Sequence, residues 1–171
     1  MLTLKGNAMM RTAIITLSDK GSRGERVDES GPVIREMLAK TGAVVDHYEV
    51  LPDDKTQIIG VLTRLADSGT IDLILTTGGT GVAPRDVTPE ATRAVIDREL
   101  PGMAEAMRAE SLRKTPHAMI SRALAGIRKQ TLIVNLPGSP KAARENLAVI
   151  LPALPHAMAK IKGDPSDCGG R

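Results

Sequence analysis

The runs RTAIITL (Arg11–Leu17), LIL (residues 73–75) and TLIVNL (Thr131–Leu136) are rich in β-branched residues, carry no charge in their interiors, and lack the polar–apolar alternation of a half-exposed strand. Strands of that kind are buried on both faces. Residues 43–51 give a further strand signal. Helix-start signals come between them. Ser30-Gly31-Pro32 opens a helix with Ile34, Met37 and Leu38 on one side, and Asp54-Lys55-Thr56-Gln57 has capping-box form ahead of Ile58, Leu62 and Leu65. At Thr88-Pro89-Glu90 the expected cap is Thr88, with Pro in the first turn and Glu complementing the helix dipole. A basic, Met-containing helix is expected from about residue 103 to 114, and Ser139-Pro140-Lys141 begins the last helical region, which Pro152 and Pro155 should kink or break.

Strands alternating with helices predict an α/β fold: a doubly wound, mostly parallel sheet with helices on both faces, in a single domain. The expected domain covers residues 11–164, between flexible ends at 1–10 and 165–171. In such sheets ligands bind beyond the carboxyl ends of the strands. Three polar loops lie there in sequence, after the first, third and last strands.

Composition narrows what those loops can do. With one Tyr and no Phe or Trp, the chain lacks the aromatic platforms on which single-stranded nucleic acid stacks, and its net charge of +3 is too small to imply a polyanionic macromolecule. Residues 103–145 hold eight Lys or Arg against three Glu, which suits either a small phosphorylated ligand or a solvated helix face. Cys168, the only cysteine, cannot form an internal disulfide, and its tail position argues against catalysis. Without a signal-peptide-like or membrane-spanning apolar run, a cytoplasmic location with no membrane partner is expected.

Gly78-Gly79-Thr80-Gly81 can bring backbone N–H groups close to an anion, or can simply close a tight corner. Asp86 lies between that loop and a helix start, where a carboxylate can hold Mg²⁺, pair with Arg85, or cap the backbone at residues 87–88. Asp53, after the second strand, could reach the same region or cap the next helix. In LPGSPKA, Ser139 and Lys141 stand at a helix start that suits an anion, with a plain Ser cap as the alternative. His47, His117 and His156 have no metal-like spacing and receive no role; Glu105, Arg108, Ser121 and Arg122 read as structural or as lining a cleft.

Taken together, TTGGTGVAPRDVTPEA, ELPGMAEAMR, MISRALAGIRKQTLIVNLPGSPKA and LPALPHAMAKIKGD resemble the Mog/MoaB family of molybdenum-cofactor biosynthesis proteins, over about residues 11–164. The resemblance implies a trimeric α/β protein that transfers AMP from Mg-ATP to the terminal phosphate of molybdopterin and releases pyrophosphate. It implies catalytic, Mg²⁺-holding roles for Asp53 and Asp86, and nucleotide or phosphate contacts from Thr77, Gly78, Gly79, Thr80, Gly81, Ser18, Asp19, Pro137, Gly138 and Ser139. Pterin contacts fall to Ser121, Arg122 and Lys141. The adenylated pterin would pass to a molybdate-inserting enzyme. A MoaB-like homologue and a non-catalytic pterin-binding or assembly module are the alternatives. Two carboxylates near anionic ligands favour the enzyme, because like charges weaken binding unless a metal offsets them.

Overall fold

The computed structural model describes residues 9–166; Cys168 and most of the ends expected to be flexible lie outside them. β1 (Arg11–Leu17) leads into a four-residue helix, α1 (Asp19–Ser22), and then α2 (Ser30–Ala39). β2 (Val44–Leu51), α3 (Lys55–Asp67), β3 (Leu73–Thr77) and α4 (Thr88–Val95) follow. The remainder is β4 (Arg98–Glu99), α5 (Pro101–Leu112), β5 (Ala125–Arg128), β6 (Thr131–Leu136), α6 (Pro140–Ile150) and α7 (Leu154–Ile161), with short 3₁₀ turns before β5 and between α6 and α7. The six strands lie in the order β2-β1-β3-β6-β5-β4. β2, β1, β3 and β6 run parallel, while β5 pairs antiparallel with both β6 and β4.

Alternation along each buried strand divides the interior into two cores. Ile14, Leu73, Leu75, Leu132, Val134 and Leu136 face one side, against Ile34 and Leu38 of α2, Met107 of α5, Leu147 of α6 and Leu154 of α7. Ala13, Ile15, Leu17, Ile74 and Ile133 face the other, against Ile58 and Leu62 of α3 and Ala91 and Val95 of α4. Because successive side chains of a strand point to opposite faces, uninterrupted apolar runs are what two helical layers require. Leu, Ile, Val, Met and Ala fill both cores. Among the described residues no helix is long and apolar enough to cross a membrane.

Two of the expected helix caps form. Asp54 accepts from the Gln57 amide at 2.8 Å, and Ser139 accepts from Ala142 at 3.1 Å; each such cap stabilises its helix by about 1 kcal/mol. The prolines end α6 at Ile150 and restart the chain as α7. Thr88 is not a cap: Val87 holds that position, and the Thr88 hydroxyl instead donates to the Gly78 carbonyl at 2.9 Å. Likewise the loop after β1 is not wholly irregular, since Ser18 caps α1 by accepting from Gly21 at 3.0 Å.

Candidate functional site

At the carboxyl ends of the parallel strands, the loops after β1, β2, β3 and β6 enclose a cleft of about 370 Å³. Ser18, Asp53, Thr77, Gly78, Gly79, Asp86, Gly138 and Ser139 are among the predicted residues that line it. A larger, more open groove of about 570 Å³ between α5 and α6 presents alanines and charged side chains. Its Arg113 and Lys114 face Glu110, and Lys114 also faces Glu145, so it offers no unpaired acid and no glycine loop.

The glycine loop is built so that its two kinds of backbone group point to different partners. Four successive carbonyls are all engaged by protein: Gly78 by the Thr88 hydroxyl at 2.9 Å, Gly79 by the Thr88 amide at 3.2 Å, Thr80 by the Arg122 amide at 2.9 Å, and Gly81 by Arg122 Nε at 2.6 Å. The Gly78 amide donates to Leu136 at 3.2 Å, but the amides of Gly79, Thr80 and Gly81 have no acceptor among the described residues. Backbone donors of that kind seek an acceptor, and consecutive ones form an anion-binding concavity. The trace needs glycine at Gly78 (φ 103°) and Gly79 (φ 64°), where a side chain would also collide with the Leu17 carbonyl and with Thr88 respectively.

The acids are anchored with equal economy. Asp54 caps α3, which frees Asp53 from the capping role; Asp53 Oδ2 instead accepts from the Asp19 amide at 3.0 Å, while Asp19 Oδ1 accepts from the Asp53 amide at 3.0 Å. Arg85 closes on Asp19 through two bonds of 2.9 and 2.7 Å, so the glycine-loop segment is tied to the ends of β1 and β2. This guanidinium holds the Asp19 carboxyl below its ordinary value. Asp86 is therefore not paired with Arg85, nor does it cap residues 87–88: its Oδ2 reaches back to the Ala83 amide at 2.9 Å. Asp53 and Asp86 each retain one oxygen, Oδ1, that accepts no hydrogen bond among the described residues. Burial pushes the Asp53 carboxyl up; the Asp19 amide pulls against this, and the charges of Asp19 and Asp86 add to the rise.

Several predicted residues serve the site from behind its wall. Arg122 does not line the cleft; besides Gly81, it grips the Asp86 carbonyl at 2.6 Å and the Glu90 carboxylate, which makes it the brace of the loop. Thr77 lines the cleft but donates its hydroxyl to the Pro137 carbonyl at 2.7 Å, joining the loops after β3 and β6. Asp19, Thr80, Gly81, Pro137, Ser121 and Lys141 are absent from the lining. Arg108 donates to Ala123 at 2.7 Å, and no cation of residues 103–145 lines the cleft, several of them pairing with Glu110, Glu145, Asp67 and Glu36.

Asp28 is the residue that reading the sequence misses. It lines the cleft and accepts from the Thr16 hydroxyl at 2.7 Å, from the amides of Ser30 and Gly31 at 3.0 and 3.2 Å, and from the Tyr48 hydroxyl. Burial works to raise its carboxyl, yet these donors outweigh it and hold the group below its ordinary value; Tyr48, half-shielded beside that charge, is pushed up to about 12. Ser30 then donates to the Gly138 carbonyl at 2.6 Å. The available signal was the acid at the end of a polar loop, two residues before a helix-opening Ser-Gly-Pro.

No histidine lines the cleft, and among the described residues no group of three or more His, Cys, Asp or Glu is gathered for a metal ion. Mg²⁺ makes a smaller demand, being held by one or two carboxylates with water and substrate phosphates completing its shell. The unclaimed oxygens of Asp53 and Asp86, hard donors beside unpaired amides, fit that requirement.

Comparison with known proteins places this geometry in a context. Residues 13–156 match the MoCF_biosynth family model, a probable molybdopterin binding domain. A molybdopterin adenylyltransferase of Helicobacter pylori (strain J99) is 43% identical over 153 residues, covering 88% of this chain and 87% of the relative. Gephyrin of Dictyostelium discoideum is 46% identical over 162 residues, 89% of this chain but only 22% of that longer protein. The solved structure of the molybdopterin biosynthesis enzyme MoaB from Thermus thermophilus superposes with a TM-score of 0.86 at 56% identity, covering 93% of this chain and 100% of the other.

Proposed function

This chain belongs to the molybdenum-cofactor biosynthesis family defined by the probable molybdopterin binding domain, and on that premise we propose that it adenylylates molybdopterin, moving AMP from Mg-ATP to the pterin's terminal phosphate. An oxygen of that phosphate attacks the α-phosphorus of ATP, the bond from the α-phosphorus to the bridging oxygen breaks, and pyrophosphate leaves with the electron pair. The observation that carries the reading is the meeting, in one cleft, of the Gly79 amide, which has no acceptor among the described residues, with two carboxylates that each offer a free oxygen.

Such transfer requires positioning and charge neutralisation more than covalent chemistry. The amide of Gly79 takes a phosphate oxygen, and its fixed orientation needs no reorganisation as negative charge moves toward the leaving group. Asp53 and Asp86 would hold Mg²⁺, which when bound neutralises phosphate charge. Two neighbouring carboxylates repel anions, so the pair by itself is a poor host for a phosphate. Asp19, Arg85 and Arg122 orient these groups without entering the cleft. Asp28 and Ser30 set the loop containing Gly138 against the glycine loop. Ser139 lines the cleft while capping α6, at a helix start suited to an anionic substrate. The same reading includes a homotrimer in the cytoplasm and hand-over of the adenylated pterin to a molybdate-inserting enzyme.

The test is to incubate the protein with molybdopterin, ATP and Mg²⁺ and measure pyrophosphate. Release that requires both substrates is expected. Intact pterin binding without release would establish the binding-module alternative.

A further inference from the structure

Among the described residues the cleft wall carries Asp28, Glu29, Asp53 and Asp86 but a single cationic side chain, Arg26. Other cations nearby are committed elsewhere. Arg85 is held by Asp19, Arg23 by Glu25 at 2.7 and 2.9 Å, and Arg122 by two loop carbonyls and Glu90. Lys20 and Lys141 stand outside the wall. Arg26 itself makes no side-chain hydrogen bond and no ion pair among the described residues, although Glu25, Asp28 and Glu29 are all within three positions in sequence. An exposed guanidinium that faces a wall of carboxylates yet joins none of them retains its five donors for a ligand.

Resting on the proposed function, which brings phosphorylated substrates into this acidic cleft, we infer that Arg26 grips a phosphate group of a bound substrate and sets affinity for it. The planar fork of Arg suits two oxygens of one phosphate, which a lysine ammonium matches only as a point charge. The residue sits between two anchors. On one side the Lys20 carbonyl accepts from the Glu25 amide at 2.9 Å, and on the other Asp28 receives its four donors. Arg26 and Val27 between them make no hydrogen bond with any described residue, so the side chain can follow a ligand without disturbing the amides or acids where bonds change. A contact made equally before and during the reaction raises affinity and leaves the chemical step alone.

The test measures binding of inorganic pyrophosphate, ATP and molybdopterin, each with Mg²⁺, to the full chain and to Arg26→Ala and Arg26→Lys at low and high salt. Arg26→Ala should weaken binding of the ligand it grips by about tenfold. Arg26→Lys should recover part of the loss, and the difference should narrow as salt rises. The matching KM should rise with kcat unchanged and the thermal midpoint unmoved. Loss for pyrophosphate and ATP identifies the nucleotide as the source of the phosphate; loss for molybdopterin alone identifies the pterin. Unchanged affinity for all three overturns the inference, as does a loss that accompanies a fallen midpoint and is not relieved by lysine. Normal adenylylation by the wild type together with unaltered binding by Arg26→Ala overturns this inference alone. Arg26-dependent pyrophosphate binding without adenylylation overturns the proposed function and leaves the inference standing.

Discussion

The loops after β3 and β1 face each other across one cleft and are held in opposite ways. In the first, Thr88 and Arg122 engage four successive carbonyls, so the trace of residues 78–81 is determined bond by bond. The second is fastened at Ser18 and Asp28, but between them Arg26 has no side-chain partner among the described residues and Val27 is 82% exposed. The difference separates two tasks. Groups that meet changing charge need fixed positions, because a displacement of about 1 Å can cost on the order of 10²-fold in rate. Groups that only attract a ligand can remain adaptable.

The comparison breaks most sharply at Asp86. Asp86→Asn keeps the hydrogen bond from Ala83 available but removes the charge, and should lower pyrophosphate release by about 10³-fold with an unchanged thermal midpoint. Gly79→Ala should follow at about 10²-fold, since its side chain would press on Thr88 and crowd Asp53 at a positive φ. Arg122→Ala leaves the loop sequence intact but removes its brace. Its expected cost is about 2 kcal/mol in a denaturation curve and on the order of tenfold in turnover, larger in both than for Arg26→Ala.

The smallest effect sharpens the contrast by its sign. Asp53→Asn should reduce turnover strongly, yet stabilise the fold slightly, by about 1–2 °C in the thermal midpoint at neutral pH. A carboxyl whose folded value is raised binds its proton more tightly when folded, so ionisation works against the native state. The advantage of the Asn variant should be absent in acid, develop as pH rises through the ordinary carboxylate range, and be complete above the raised Asp53 value. Asp28, held low by its donors, works in the opposite direction, stabilising the fold above the ordinary range and losing that contribution as pH falls through its lowered value. Melting curves of wild type, Asp53→Asn and Asp28→Asn across pH check both signs.

Much of this arrangement is legible before any coordinates. β1 and β6 have the expected bounds, and the Asp54 and Ser139 caps work through short-range rules that need no tertiary context. Convergence of the loops follows from parallel topology. What escapes is set by distant partners. β4 and β5 span two and four residues and lack a β-branched run, so only the pairing of β5 with β6, and of β4 with β5, makes them strands. Thr88 satisfies every local criterion for a cap but donates ten residues back to Gly78. Nothing near Arg122 in sequence announces the loop groups that it braces, which lie 32 to 42 positions away. Nothing local to Asp28 reveals that Thr16 and Tyr48 will meet it.

The central claim is that Asp53 and Asp86 together present oxygens that hold the metal of a bound triphosphate against the glycine-loop amides. Measuring the affinity of ATP with and without Mg²⁺ for the wild type and for the Asp53→Asn, Asp86→Asn double variant tests it directly. The account predicts that Mg²⁺ strengthens ATP binding to the wild type and loses that effect in the folded double variant. An equal Mg²⁺ enhancement in both proteins would contradict it.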